Sequence, residues 1–439
     1  MNRPVHQNPD AEQRSRLKVF LFGLAALHGL VVNLMPAMFS SMEAAFQADK
    51  ARQALLKSYF FGGSAVALVA AGYVTQYFGV RRTCLLLAFL AGSGASAFGL
   101  APTYSLVLVA TAILAIGIAP LAAIYAAIIA THFHESRQRM YMLTYALLAV
   151  SATIATTALG ALLDRLGRYK EVFLGLGILI WVSMAALLAI GWQVLGRAPE
   201  TVAAAGPSRQ ASPPAGEVAS PRLFLRVWTF LASGAFTRGA LYLMCVLMIC
   251  DYLFASNMLA WTPTFFEQRY GSSKLLAGSA LSASSAGVAV GRVLMAMFPP
   301  GKVSDRLLLA GCYAGGVICF GLMILLQLPY PASLFLMFLS GAFIAAQAPT
   351  MGSLAVAKFG DRAPIAVPIY EAVGTLAGIF GPPVVGYFAD RTGQLEAILL
   401  LVPAAGLALA AVAIAWELFD RRRPDASLPS APNLKRSAS

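Results

Sequence analysis

Charge is what this chain has least of. Asp, Glu, Lys and Arg make up 12% of its 439 residues, about half the share of a typical soluble domain. Hydrophobic residues take 59%, and so few charges could not cover that much apolar surface against water. A soluble fold is excluded, and lipid is the solvent for much of the chain. The sequence is also poor in histidine (4) and cysteine (5). Cys84, Cys245, Cys250, Cys312 and Cys319 lie in or beside apolar segments, without metal-ligand spacing or a disulfide framework, and read as small core- or lipid-facing side chains. No His-rich cluster, nucleophile elbow or phosphate loop occurs, so neither an enzyme, a cofactor nor a metal site is expected. Acids are scarcer than bases, 19 against 32. The basic excess sits in short segments between apolar runs, where it orients a membrane chain, and nucleic acid is not an expected partner.

Long apolar runs are what the sequence has in plenty. A membrane helix needs about 20 mostly apolar residues, and twelve runs qualify: 18–41, 55–78, 83–101, 104–131, 139–163, 171–195, 240–266, 273–298, 306–328, 332–357, 364–389 and 395–418. The expected fold class is all-α integral membrane. A polar stretch ending in Arg14, Arg16 and Lys18 precedes the first run and no small-residue cleavage site follows, so that run reads as a retained helix and not a signal peptide. Residues 197–222 are rich in Pro, Ala, Ser and Gly and read as a flexible linker. They divide the chain into an N-terminal tail (1–17), a six-helix bundle (18–196), the linker, a second six-helix bundle (223–420) and a C-terminal tail (421–439). Within 223–238, Arg226, Trp228 and Arg238 suggest a helix in the interface or an extension of span 7. Nine basic residues, Lys57 among them, fall on one side of the membrane and Arg292 falls inside span 8. The rest of the 32, more than twice as many, collect with the linker and both termini. Both termini are therefore expected in the cytoplasm. Abundant Ala, Gly and Arg suggest a bacterial inner membrane, and a monomer is the expected state.

One phrase is written twice. Residues 160–167 read GALLDRLG and residues 386–393 read GYFADRTG, so that Gly160, Asp164, Arg165 and Gly167 fall on Gly386, Asp390, Arg391 and Gly393. The copies end spans 5 and 11, the same place in each half, which makes the halves pseudo-symmetric bundles of six helices. The expected role is structural, with Gly allowing close packing while Asp and Arg end the helix at the external surface.

Six spans plus six, the central linker and the paired phrases together resemble the major facilitator superfamily over about residues 18–420. Gly72–Arg82 reads GYVTQYFGVRR, similar to the family's loop 2–3 motif at Gly72, Gly79, Arg81 and Arg82, with Gln76 standing where the family has an acid. The resemblance implies a conformational-switch role for these four residues. Three stretches, SYFFGGSAVALVAAGY, the run from Ala260 to Arg292, and PTMGSLAVAKFG followed by GIFGPPVVGYFADRTG, resemble the fucose:proton symporter group. Val32 and Ala122 stand where that group has its coupling acids, so its mechanism does not carry over. Drug:proton antiporters of the superfamily have a Gly-Pro pattern in helix 5, which here sits in span 11 (Gly374, Gly378, Gly381, Pro382, Gly386).

An ionisable group at membrane depth is a functional candidate by default. Asp251, near the middle of span 7, and Glu371 in span 11 are candidates for taking and releasing a proton. Arg292 lies at a depth similar to Glu371, which makes the two a candidate pair; the plain alternative is an arginine snorkelling to headgroups. His28 sits in the middle of span 1, where imidazole titrates near neutral pH. Around these, Asn33, Tyr125, Tyr252, Asn257, Trp261 and Gln347 lie on spans 1, 4, 7 and 10, which line the central cavity in the superfamily. Aromatics with a few amides suit a polar organic solute, although each alone could equally be helix–helix glue. The expected function is a secondary transporter moving a small polar organic solute by alternating access, with protons as a further partner. An exporter of an amphipathic compound such as a drug or iron chelator is the alternative, and a non-transporting membrane sensor is a second.

Overall fold

The computed structural model describes residues 9–133, 137–195, 235–271, 273–297, 304–359 and 363–421. Among them the architecture is helical throughout, and twelve helices follow the twelve expected spans. In the first half, α1 is Pro9–Val32, continued after a break at Asn33 by Leu34–Ala37 and Phe39–Phe46. α2 (50–78) and α3 (80–100) are the two arms of Lys50–Leu100, parted at Gly79. α4 is Tyr104–Ile118 with Leu121–His132, α5 is Arg137–Leu166 and α6 is Tyr169–Leu195. In the second half, α7 is Ala235–Asp251, a π-helical turn Tyr252–Ser256, and Asn257–Tyr270; α8 is Lys274–Met297 and α9 is Asp305–Leu325. α10 is Tyr330–Ile344 with Gln347–Phe359, α11 is Ala363–Thr392, and α12 is Leu395–Leu399 with Val402–Arg421. The linker 197–222, residues 223–234 of the expected interfacial segment and residues 422–439 of the C-terminal tail lie outside the described residues. Residues 235–238 open α7, and α1 already begins within the expected N-terminal tail.

The repeat is deeper in the structure than two octapeptides. Under the same shift of 226, Tyr104 falls on Tyr330, the break at 119–120 in α4 falls on the break at 345–346 in α10, and α5 falls on α11 from first residue to last. Gly167 and Gly393, which close the two phrases, have φ of +62° and +66°. That left-handed region is readily open only to glycine, so each phrase ends its helix by the same backbone device.

Eight of the helices are long and apolar enough to cross a membrane by composition: α1, α3, α5, α6, α7, α9, α11 and α12. The other four form two symmetry-related pairs. α4 and α10 are each interrupted, and α2 and α8 pack across the bundle interface on α11 and α5, where Ser58 bonds the Ile379 carbonyl and Ser282 bonds Thr156. Elsewhere the outward faces are strongly apolar. Phe89, Ile154, Phe380 and Leu401 are each more than 60% exposed, which a water-soluble protein would not tolerate and lipid satisfies.

The bundles are joined at the face opposite the chain termini. The Lys50 and Ala51 N–H groups, which open α2, donate to the Asp390 carboxylate at 3.1 and 2.9 Å. The Lys274 and Leu275 N–H groups, which open α8, donate to the Asp164 carboxylate at 3.0 and 2.8 Å. Each phrase aspartate thus caps a helix of the opposite bundle, satisfying N–H groups that have no partner within their own helix. Gly160 and Gly386 make the approach possible. A Cβ on either would sit 2.7 Å from the carbonyl oxygen of Lys274 or Lys50. The aspartates therefore do more than end their own helices: they fasten one half of the molecule to the other.

Candidate functional site

Between the bundles lies a chain of aromatic and charged side chains. Tyr125 on α4 is fully buried, and its Oη has no hydrogen-bond partner among the described residues. Its ring meets His28 of α1 at 6.3 Å between centroids and meets Tyr145 of α5 edge-on at 5.8 Å. His28 Nδ1 is shielded and likewise unpartnered among the described residues. Arg292 on α8 reaches into the other bundle, donating to the Tyr145 carbonyl at 2.9 Å and lying 5.1 Å from the Tyr145 ring centre. This is not snorkelling, since the guanidinium is held by protein.

The expected pairing of Arg292 with Glu371 is not formed. The Tyr252 hydroxyl donates to Glu371 at 3.4 Å, and Arg292 makes no ion pair among the described residues. Asp251 is 7% exposed at the last residue before the π-helical turn, and its carboxylate makes no hydrogen bond among the described residues. Tyr252 opens that turn and packs edge-on against Phe61 of α2 at 5.8 Å, so it faces the bundle interface.

The remaining expected residues disperse. Asn33 occupies the break in α1 and donates to the Ser285 hydroxyl of α8 at 3.1 Å, joining the bundles. Trp261 is fully buried against Phe39 at 5.4 Å, with Nε1 unpartnered among the described residues. Gln347 opens the second part of α10 and contacts Met248 Sδ at 3.4 Å. Asn257 turns the other way. It donates to the Leu253 carbonyl at 2.7 Å and is the polar residue in an otherwise apolar groove of about 570 Å³ between α7, α11 and α12, whose lining includes Phe380 and Phe388. In the α2–α3 reversal, Gly79 has φ +73° and ψ 161°. Arg82 there is exposed and Arg81 half-buried.

One residue overturns its sequence reading. Lys57, counted with the surface charges of one side, is 7% exposed. Its ammonium donates to the Ser256 carbonyl of α7 at 2.6 Å and lies 5.7 Å from the Phe61 ring. The missed signal is Asp49, whose carboxylate accepts the Arg52 N–H at 2.7 Å as an N-cap. Read as a cap, it starts α2 at Lys50 and places Lys57 two turns inside the helix. Tyr145 also went unnamed, because nothing in its local sequence marks it as the residue that receives Arg292.

The sequence comparison with curated proteins gives no match. Among solved structures, a bacterial homolog of the human lysosomal transporter Spinster, inward-facing and occupied, is similar with a TM-score of 0.64 at 14% identity over 95% of this chain and 98% of that one. The xylose transporter XylE from E. coli, partially occluded and inward open, is similar with a TM-score of 0.66 at 14% identity over 92% and 98%. The model of the Major Facilitator Superfamily matches residues 21–363. With twelve helices in two repeated bundles and a family match over most of its length, the chain is a multi-pass membrane transporter, not an enzyme, and belongs to the major facilitator superfamily.

Proposed function

We propose that this protein carries a small polar organic solute across the membrane at a site between its bundles, exchanging protons through Asp251 and Glu371. The observation that carries the reading is the sparsely bonded polar group between the bundles: His28 Nδ1 and Tyr125 Oη lack partners among the described residues, and Arg292 and Glu371 are bonded separately. Buried polar atoms are normally satisfied, so open ones beside a charge are positions for a solute. Tyr252 and Gln347 border the same interface, whereas Asn33 and Trp261 belong to the contacts that close it. With both termini in the cytoplasm, as the distribution of Lys and Arg supports, the Asp164 and Asp390 caps close the external side. Gly72, Gly79, Arg81 and Arg82 then lie on the cytoplasmic side, where the bundles move against each other.

The test is uptake of labelled sugars, amino acids and organic acids by the full chain in liposomes under an imposed proton gradient. Solute uptake that collapses with the gradient, and that loses this dependence in Asp251→Asn or Glu371→Gln, supports the reading. Uptake of no solute against an empty-liposome control rejects it.

A second reading, export of an amphipathic compound, is favoured by the apolar groove around Asn257. Phe380→Ala and Phe388→Ala variants expressed in an efflux-deficient host should then lower tolerance to the exported compound.

A further inference from the structure

Two cations, Lys57 buried and Arg292 half-buried, sit between the bundles of this protein without an acid among the described residues. Lys57 on α2 is held by the Ser256 carbonyl and the face of Phe61, Arg292 on α8 by the Tyr145 carbonyl and ring. Neither makes an ion pair among the described residues. The arrangement is reciprocal, since each cation leaves its own bundle and rests on the backbone of the other, and α2 and α8 are symmetry-related helices. A carbonyl dipole offsets only part of the cost of burying such a group. A buried carboxyl can become neutral by binding a proton, so Asp251 and Glu371 require no cationic partner. A guanidinium has no such escape. A buried ammonium can release its proton, so the charge that the site cannot shed is the positive one on Arg292.

We propose that the solute is a carboxylate-bearing organic anion, and that Lys57 and Arg292 are its binding cations, each parked on a backbone carbonyl until the solute replaces it. This rests on the transport reading above. The Ser256 carbonyl belongs to the π-helical turn Tyr252–Ser256, where the change of hydrogen-bond register disturbs backbone pairing and makes room for an outside donor. When the bundles part on the Asp164–Asp390 side, Lys57 leaves Ser256 and is presented to that opening. When they part on the other side, Arg292 leaves Tyr145, with Tyr125 Oη and His28 Nδ1 nearby to bond the rest of the solute. A carboxylate forms shorter, stronger charge-assisted bonds with both cations than the carbonyls do. A proton carried alongside on Asp251 or Glu371 cancels the membrane-potential penalty of moving an anion inward.

The test uses the full chain in liposomes with four labelled probes: lactate, succinate, xylose and choline. Uptake of a carboxylate, reduced about ten-fold or more by Lys57→Gln and by Arg292→Gln and partly restored by Lys57→Arg or Arg292→Lys, is the expected result. Thermal stabilisation of the unmodified protein by the same carboxylate, absent with chloride at equal ionic strength, reads binding without relying on any variant. Uptake of xylose or choline with no carboxylate moved overturns the anion assignment and leaves the transport reading standing. Carboxylate uptake and stabilisation unchanged in both glutamine variants overturns the assignment of the two cations. Uptake of none of the four, together with no carboxylate stabilisation, overturns the anion assignment, while the broader reading stands or falls on the wider solute panel above.

Discussion

Asp390 accepts the backbone N–H of Lys50 at 3.1 Å, although 340 residues separate them. With Ala51 as second donor and the Asp164–Lys274–Leu275 set as its counterpart, the contact makes a symmetric pair of fastenings. Hydrogen bonds to a charged acceptor contribute about 1.5–3 kcal/mol each when sheltered. Here the Asp390 side chain is 27% exposed and its ion pair with Lys50 Nζ is long at 3.5 Å, so the backbone bonds dominate and the ion pair adds little.

Removing these carboxylates should open the face they close. In an Asp164→Ala, Asp390→Ala double variant, a cysteine placed at Ser41, whose hydroxyl now accepts from Lys274 Nζ at 3.0 Å, should react several-fold faster with a membrane-impermeant maleimide. The cysteine-free protein carrying Ser41→Cys alone is the reference. Equal labelling rates in the two would show that the caps do not hold this conformation.

The phrase glycines should be intolerant where other helical glycines are not. Gly386→Ala puts a Cβ 2.7 Å from a backbone carbonyl, so it should lower the melting temperature and hinder closure. Gly311 in α9 is exposed with nothing near its would-be Cβ. Gly311→Ala should be neutral or stabilising, by up to about 1 kcal/mol from helix propensity. The same loss of stability in both would remove close approach as the explanation.

Gly79 makes a prediction of a different kind. Its φ of +73° with ψ of 161° lies in a region essentially restricted to glycine. Gly79→Ala should cost about 1–3 kcal/mol through backbone strain alone, because nothing stands within 4 Å of the added Cβ. Thermal unfolding in detergent measures it, and an unchanged midpoint would mean that the α2–α3 reversal can adopt another conformation.

Substituting the proposed proton-carrying acids should separate driven transport from exchange. Glu371→Gln should abolish accumulation driven by a pH gradient while solute-for-solute exchange persists, because exchange needs the bundles to rock but no proton to be released. Tyr252→Phe, which removes the 3.4 Å hydrogen bond to Glu371, should alter the pH profile of driven uptake without abolishing it. Loss of exchange and driven uptake together in Glu371→Gln would assign that residue to binding or folding instead.

How far the sequence could be read depended on whether a feature is local. Span number, the division into halves and the repeated phrase were legible because apolar run length and a fixed shift of 226 residues are properties of the string itself. Arg292, Asp251 and Glu371 stood out because a charge in an apolar run is visible without any fold. Lys57 did not, since it sits near the end of a run and looks like a loop charge until the Asp49 cap moves the helix start. Asn257 was legible as a polar residue of span 7 but not as one bordering the apolar groove between α7, α11 and α12, because an α7 containing a π-helical turn does not keep a constant angular register.

The chain alone determines that this is a membrane transporter frame of two six-helix halves, because hydrophobic length and repetition set which segments span lipid and how they correspond. Tertiary structure decides what those residues do to one another. It puts the Asp390 carboxylate on the N–H groups of α2, Lys57 on the Ser256 carbonyl and Arg292 on Tyr145. Those partners lie in opposite bundles, and only the docking of the bundles makes a buried cation short of an anion.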